Sequence, residues 1–282
     1  MQVEQALKYG KAGGEAKPVS SLELKTRHFT VRLAASREDV TAAQQLRFAV
    51  FNLELGEGLA SSFETGLDED EFDQQCDHLL LLDNAGSRIV GTYRLQTAEM
   101  AAAGKGGNGG NAGNGFYSGT EFDLSYLSEE IIDQSVELGR ACIAEEFRRS
   151  EALLLLWRGI AAYTRLSGKR YLFGCCSVKS RSVDEAWELT RMLANEGYLH
   201  HDLFVPPLPG FECDSDPDQS ESKVFPSPAG LQIPRLLQSY LRLGAMVCGP
   251  PAIDRRFGTV DFFTLFDMSD LKGRARKLLL EQ

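Results

Sequence analysis

The chain has 282 residues and a mass of 31.1 kDa, of which 43% are hydrophobic and 25% charged. These are ordinary globular values, so the chain can bury a sizeable core in one large domain or two small ones. The formal net charge of -10 argues against nucleic acid as the main partner, because binding phosphates needs a basic surface.

Neither a secretory signal nor a membrane-spanning segment is evident. The N-terminus enters Lys8 and Lys11 without an apolar core, and the longest apolar runs fall far short of the ~20 residues that a spanning helix needs. The six cysteines include no C-x-x-C pair, and no histidines stand at zinc-site spacing. We therefore expect a cytoplasmic protein with reduced cysteines, no metal site and no bound cofactor.

Composition divides the chain into an arm, a domain and an insertion. Residues 1–27 are polar and mixed, which indicates a loosely ordered N-terminal arm. Residues 28–282 are expected to form a single domain, interrupted at 101–115 by a flexible Gly/Asn-rich segment. The Pro/Asp/Ser-rich stretch 206–228 is expected to be a loop.

Apolar periodicity predicts the elements of the domain in chain order. The first half gives a strand at 29–33, a helix from Ser36 to about Leu55, a hairpin of strands at 77–83 and 88–96, a short helix at 127–134 and a strand at 135–143. The second half gives a buried helix at 151–166, a strand at 170–178, a helix from Ser182 to Gly197, strands at 243–249 and 259–266, and a last helix after Ser269. This order predicts an α/β (α+β) fold with a mixed, mainly antiparallel sheet and helices on both faces.

A set of motifs in this order carries a family resemblance. They include Cys76-Asp77-His78-Leu79, Val90-Gly91-Thr92-Tyr93-Arg94-Leu95, Glu121-Phe122-Asp123-Leu124, Glu137-Leu138-Gly139-Arg140 and Leu156-Trp157-Arg158-Gly159-Ile160-Ala161. Over roughly residues 40–275 the chain resembles the ornithine-lipid N-acyltransferases, often labelled hemolysin-like proteins, of the GNAT fold. It is more distantly similar to acyl-homoserine-lactone synthases, although the tryptophan that follows their Arg/Phe pair is missing here.

The first resemblance implies transfer of a (3-hydroxy)fatty acyl group from acyl carrier protein to the α-amine of an amino acid, with ornithine as first choice, in lyso-ornithine-lipid synthesis. The enzyme alternatives are a glycine or aromatic acceptor and acyl-homoserine-lactone synthesis. The non-enzyme alternatives are a membrane-lytic hemolysin and a carrier-binding module without catalysis. The absence of a long apolar segment or a basic amphipathic helix argues against the lytic protein. Peripheral contact with the inner membrane surface stays open as a further partner.

Acyl transfer to an amine needs a deprotonated amine, a stabilised oxyanion and a held pantetheine arm. The GNAT resemblance implies a cleft where the two parallel strands at 135–143 and 170–178 splay apart. Backbone amides at 141–143 are then the expected donors to the arm and the carbonyl oxygen. The donor's acyl-phosphopantetheine is a substrate, so no resident cofactor is implied.

Glu137 is the candidate general base, with Arg94 and Arg140 as its orienting partners. Glu137 and Arg140 are three positions apart on one strand, so a bulge near Gly139 is required to bring them to the same side. The structural alternative is a buried Glu–Arg network that only holds the sheet.

The acidic stretch at 68–73, together with Asp77, is the candidate subsite for a cationic acceptor such as ornithine. Its alternative is a solvated charge run on a loop. Likeness to the lactone synthases adds an Arg/Phe pair to the substrate-binding set. The substrate-binding candidates are Arg47, Phe51, Asp68, Asp73, Asp77 and Cys142.

Acyl-CoA enzymes of this fold carry a glycine-rich loop whose amides hold the pyrophosphate at a helix N-terminus. The equivalent stretch here, Phe147–Ala152, contains no glycine. That absence favours the single phosphate of a phosphopantetheine arm and, through it, acyl carrier protein. The basic residues suited to the acidic carrier are Arg148, Arg149, Arg158, Lys169 and Arg170. An ordinary basic rim is the alternative.

Overall fold

In the computed structural model of the chain, the described residues are 22–104, 115–148, 151–213 and 232–280, without the side chain of Arg274. The predicted arm up to residue 21, most of the predicted insertion and most of the predicted loop therefore lie outside the described residues.

One mixed sheet runs through the described part of the chain. Its strands are β1 (Glu23–Lys25), β2 (Phe29–Leu33), β3 (Asp77–Asp83), β4 (Arg88–Thr97), β5 (Ser135–Ile143), β6 (Tyr171–Lys179), β7 (Met246–Val247), β8 (Ala252–Asp254) and β9 (Thr259–Asp267). They lie in the order β1-β2-β3-β4-β5-β6-β9-β7, with β8 also paired to β9. Within this sheet β5 and β6 run parallel and the other pairs are antiparallel. The predicted GNAT-like sheet is confirmed.

Helices cover both faces of the sheet, as predicted. They are α1 (Arg37–Arg47), α2 (Ser62–Thr65), α3 (Ala98–Ala103), α4 (Glu129–Asp133), α5 (Ala152–Leu166), α6 (Val183–Asn195), α7 (Arg235–Leu243) and α8 (Gly273–Leu280). Side chains alternate along β4, so Tyr93 packs into the core under α5 while Arg94 points to the opposite face, towards α1. Helix α1 is capped by Ser36 and continues as a π-helical segment, Phe48–Leu55, that ends at Gly56.

The parallel strands diverge after three residue pairs. Ser135, Val136 and Glu137 of β5 pair with Tyr171, Leu172 and Phe173 of β6, and beyond them β5 pairs only with β4 and β6 only with β9. Gly174 stands where the splay begins, and a Cβ there would meet the carbonyl oxygen of Leu138 at 2.3 Å. The splayed pair is thus confirmed, and its closest approach requires glycine.

Several elements differ from the sequence predictions. The sheet begins at Glu23, inside the range assigned to the arm, and α3 covers the start of the predicted insertion. The predicted strand at 243–249 is wrong except for Met246–Val247, because α7 extends to Leu243 and Gly244 and Gly249 both have left-handed backbone, with φ +113°. The apolar stripe of α7, with Leu237 and Leu241 buried, has helical spacing and was overlooked.

Among the described helices, none combines the length and apolar character needed to cross a membrane.

Candidate active site

A cavity of about 460 Å³ lies where β5 and β6 separate. This volume is within the range of small-molecule sites. Its lining has two chemically different parts. The apolar part, on the α5 side of the sheet, includes Tyr93, Trp157, Leu172, Leu237, Tyr240 and Phe266. The ionisable part includes Arg94, Tyr117, Glu121, Glu137, Arg140, Asp254 and Asp261.

Glu137 is the last residue of β5 that pairs with β6, and its side chain lines this cavity. Its side chain is buried, and its two oxygens accept the backbone N–H groups of Tyr117 at 2.8 Å and Ser118 at 2.6 Å. Burial raises the pKa of Glu137, and the hydrogen bonds from Ser118 and Tyr117 offset part of that rise. The carboxylate is therefore held in one orientation by fixed amide dipoles.

The expected bulge is present one residue after Gly139. Gly139 lies opposite Arg94 and Cys142 opposite Thr92, so β5 carries an extra residue in this interval, and Arg140 has φ +48°. The backbone of a non-glycine residue is strained at that angle.

The bulge turns Arg140 towards the acidic stretch rather than towards Glu137. Its guanidinium lies 3.7 Å from Asp68 and 3.4 Å from Asp70, and Arg94 donates to Asp70 at 2.5 Å. Arg94 and Arg140 were expected to be the orienting partners of Glu137, but the hydrogen bonds and ion pairs described for both arginines go to Asp68, Asp70 and Asp73 instead. Arg94 acts on Glu137 only through its charge, as a minor influence that lowers the pKa of Glu137.

The acidic stretch is an internal ion-pair network. Arg47, fully buried, donates to Asp68 at 2.8 Å and to both oxygens of Asp73 at 2.8 and 2.7 Å. Gln44 and Arg94 also donate to Asp73, at 2.9 and 3.2 Å. Burial raises the pKa of Asp73, but its pairing with Arg47 and Arg94 outweighs burial and holds the pKa far below the usual range. This carboxylate is already saturated with donors.

The other predicted substrate-binding residues are dispersed. Phe51 lines the cavity, with its ring 6.0 Å from the Arg140 guanidinium. Asp77 accepts the hydroxyl of Tyr163 at 2.8 Å. Cys142 is buried in β5 outside the cavity lining, and burial raises its pKa to about 12, so it stays a neutral thiol.

Three buried carboxylates that sequence reasoning passed over meet in the cavity. One oxygen each of Glu121, Asp254 and Asp261 lies within 4.8 Å of the others. Asp254 ends β8 and Asp261 lies in β9 between Val260 and Phe262. The sequence does give one indication of this cluster: Asp261 is a charged residue within a run of apolar strand residues, and such residues are seldom fully buried without a partner.

Comparisons with known proteins identify the family of the chain. Residues 46–158 match the family described as Acetyltransferase (GNAT) domain. L-ornithine N(alpha)-acyltransferase from Brucella abortus is 36% identical over 258 residues, which cover 86% of each chain. The enzyme of the same name from Rhizobium meliloti is 32% identical over 268 residues, covering 92% of this chain and 86% of that one. The chain belongs to this acyltransferase family.

The acyltransferase also superposes on LasI, an acyl-homoserine-lactone synthase, with a TM-score of 0.44 and 12% identity, covering 90% of this chain and 95% of that one.

The basic residues predicted to dock a carrier do not share one surface of the acyltransferase. Arg148 follows the end of β5, donates to the Ile143 carbonyl at 2.9 Å and pairs with Glu54. Arg170 sits at the opposite end of the same strand pair and is bound to Asp267, so a distance on the order of 30 Å separates it from Arg148.

Arg158 and Lys169 are also engaged. Arg158 donates to the carbonyl of Leu278 on α8 at 2.8 Å. The Lys169 side chain is only 7% exposed and donates to Glu99 and to the Asp133 carbonyl. Arg149 lies outside the described residues. Of the described four, Arg148 alone stands at the splayed end of β5.

Proposed function

We propose that this acyltransferase moves a (3-hydroxy)fatty acyl group from acyl carrier protein to the α-amine of ornithine, giving the one-chain lyso-ornithine lipid. The observation that carries the proposal is the two-part cavity at the strand splay, in a chain whose relatives are named L-ornithine N(alpha)-acyltransferases. An aminolipid synthase needs both an apolar channel for an acyl chain and a polar pocket for an amino acid.

The apolar part of the cavity suits the acyl chain. Aromatic side chains form its walls, with the Trp157 and Tyr240 rings 5.2 Å apart and the Tyr93 and Tyr240 hydroxyls 2.7 Å apart. The indole Nε1–H of Trp157 is buried and has no hydrogen-bond acceptor within the described residues. A 3-hydroxyl on the acyl chain would supply one, which supports a hydroxylated donor.

The unpaired edge of β5 suits the thioester. Beyond Glu137 the strand is no longer paired with β6, and Leu138, Gly139 and Ala141 line the cavity. Backbone N–H groups along such an edge can hold the pantetheine arm and the carbonyl oxygen as it becomes an oxyanion.

In the proposed reaction Glu137 accepts a proton from the α-ammonium group. The freed nitrogen attacks the thioester carbonyl carbon and a C–N bond forms. The C–S bond breaks, and the departing thiolate takes up the second proton from the nitrogen, so that the carrier's thiol and a neutral amide result. Each Glu137 oxygen accepts one backbone N–H, which leaves lone pairs for this proton. A raised pKa makes the Glu137 carboxylate a stronger proton acceptor than an exposed one.

The proposed setting is the cytoplasm, with peripheral contact at the inner membrane surface where the lipid product is released. Expression in a host that makes no aminolipids, followed by mass spectrometry of the extracted lipids, tests the function. A new lipid with one amide-linked acyl chain on ornithine is expected. Acylated glycine or acyl-homoserine lactone in its place would overturn the proposal.

A further inference from the structure

Glu121, Asp254 and Asp261 form the least compensated buried charge cluster among the described residues. They are 3%, 6% and 2% exposed, and all three line the cavity. No lysine or arginine of the described residues forms an ion pair with any of them, whereas Asp68, Asp70 and Asp73 share three arginines. Burying a carboxylate without a counter-charge is costly, and either protonation or a bound cation relieves that cost.

Hydrogen bonds within the fold account for only part of the cluster. Asp254 accepts the N–H groups of Arg256 and Phe257 on Oδ1, and Asp261 accepts the Thr259 hydroxyl on Oδ2. Ser177 also hydrogen-bonds Asp261, and Tyr117 and Cys175 hydrogen-bond Glu121. The Oε2 atom of Glu121 is buried and has no partner among the described residues. Burial, together with the charge of Asp261, raises the pKa of Glu121 to about 8. One carboxylate oxygen of the cluster, Oε2 of Glu121, is thus left without a donor among the described residues.

The cluster and Glu137 adjoin the same short segment of chain. Ser118 gives its N–H to Glu137, and Glu121 gives its own N–H to the Ser118 carbonyl at 3.2 Å. Glu121 is therefore one 3-10 turn away from the group that fixes the candidate base. A ligand whose reacting amine lies at Glu137 would extend its other end towards Glu121.

We propose that Glu121, Asp254 and Asp261 bind the side-chain ammonium group of the acceptor and so select a diamino acid. This assignment rests on the proposed function, and it replaces the acidic stretch at 68–73, where Asp68, Asp70 and Asp73 are paired with arginines. An ammonium group offers three N–H donors, which matches three convergent carboxylates.

The test compares ornithine with norvaline, which has the same carbon skeleton without the terminal ammonium group. Glu121→Gln should lower the ratio of kcat/KM for ornithine over norvaline by roughly 10- to 100-fold, the size of one charge-assisted hydrogen bond. Asp261→Asn should act in the same direction. Glu129→Gln, at an exposed carboxylate of α4, is the matched control and should keep the wild-type ratio. An unchanged ratio in Glu121→Gln would overturn the assignment.

Ligand-induced thermal shifts separate this proposal from the proposed function. Ornithine should raise the Tm of the wild type more than norvaline does, and that difference should vanish in Glu121→Gln. If ornithine is stabilising but never acylated, the ammonium site stands and the function fails. If ornithine is acylated with the same selectivity by both proteins, the function stands and the site fails.

The ligand-free proteins give a further readout. Above pH 8, where Glu121 is ionised, Glu121→Gln removes an uncompensated buried charge and should melt at or above the wild-type temperature. A clear drop in Tm would indicate a structural role. Activity that a chelator abolishes and Mg²⁺ or Mn²⁺ restores, in the wild type but not in Glu121→Gln, would assign the cluster to a divalent metal and overturn the ammonium site.

Discussion

The Arg47 guanidinium grips both carboxylate oxygens of Asp73, with Nη1–Oδ1 at 2.8 Å and Nη2–Oδ2 at 2.7 Å. Both side chains are almost fully buried, and the pair fastens α1 to the 3-10 turn Glu71–Gln75. Two-point contact of this kind fixes direction as well as distance. The buried aspartates of the acidic stretch therefore hold the structure around the site in place.

Asp73→Asn should consequently reduce stability more than substrate affinity. Removing one partner of a buried ion pair strands the other, which typically costs about 3–5 kcal/mol. Urea unfolding measures the change. Asp39→Asn, which breaks a more exposed pair with Arg32, is the control and should cost about 1 kcal/mol or less. If both variants lost the same stability and only Asp73→Asn raised the acceptor KM, Asp73 would instead be a substrate-binding residue.

Much of the fold could be predicted because periodicity and capping determine it locally. The strands at 135–143 and 170–178, the helix that ends before Gly56 and the hairpin at 77–96 all depend on such local signals. The helix α7 could also have been predicted, because its buried leucines Leu237 and Leu241 are four positions apart, as on one face of a helix.

The site was predicted less well, because its chemistry depends on contacts between distant parts of the chain. The residues of Asp68–Asp73 look like a solvated or substrate-facing charge run until Arg47 and Arg94 are brought to them by the sheet. Conversely, Glu121 and Asp261 are 140 positions apart, counted from their residue numbers, and nothing local indicates that they meet. The pairing of β6 with β9 sets Asp261 opposite Ser177, and the turn that carries Glu121 contacts β6 through the Cys175 thiol and the Ser118 hydroxyl.

Glu137→Gln should lower kcat by roughly 10²- to 10⁴-fold, the usual cost of losing a general base. The variant keeps the shape of the side chain but puts an amide NH₂ near one of the two N–H donors, so some loss of Tm is expected as well. Single-turnover rates per folded molecule, across pH, separate the two effects. A variant that melts earlier but turns over normally would show that Glu137 only holds Tyr117 and Ser118 in place.

Selectivity for ornithine should rise with pH. The pKa of Glu121 is about 8 and that of Asp261 about 6, both raised mainly by burial, so near pH 6 the empty cluster is largely protonated at Glu121. Ionisation between about pH 6 and 8 creates the charge that an ammonium group needs. Between pH 6 and 8 the α-amines of both substrates are mostly protonated, so their free-amine fractions rise in parallel with pH and this dependence cancels in the ratio. A ratio of kcat/KM that stays flat over this range would contradict the pKa assignment.

Acyl carrier protein should be the better donor, because the stretch at 147–152 lacks the glycines of a pyrophosphate loop. Initial rates with carrier-bound and CoA-bound acyl groups at equal concentration test this, and equal or faster use of acyl-CoA would contradict it. Arg148→Ala should raise the KM for the carrier-bound donor. Glu54→Ala breaks the same ion pair without removing the positive charge, and should leave that KM lower than in Arg148→Ala.

The most direct measurement uses the purified protein with 3-hydroxyacyl carrier protein and ornithine, with tandem mass spectrometry to locate the new amide. The proposed function predicts a single product acylated on the α-nitrogen, with the side-chain amine free because the acidic cluster holds it. Acylation of the side-chain nitrogen, or no acylation of ornithine by a protein that acylates other amines, would contradict it.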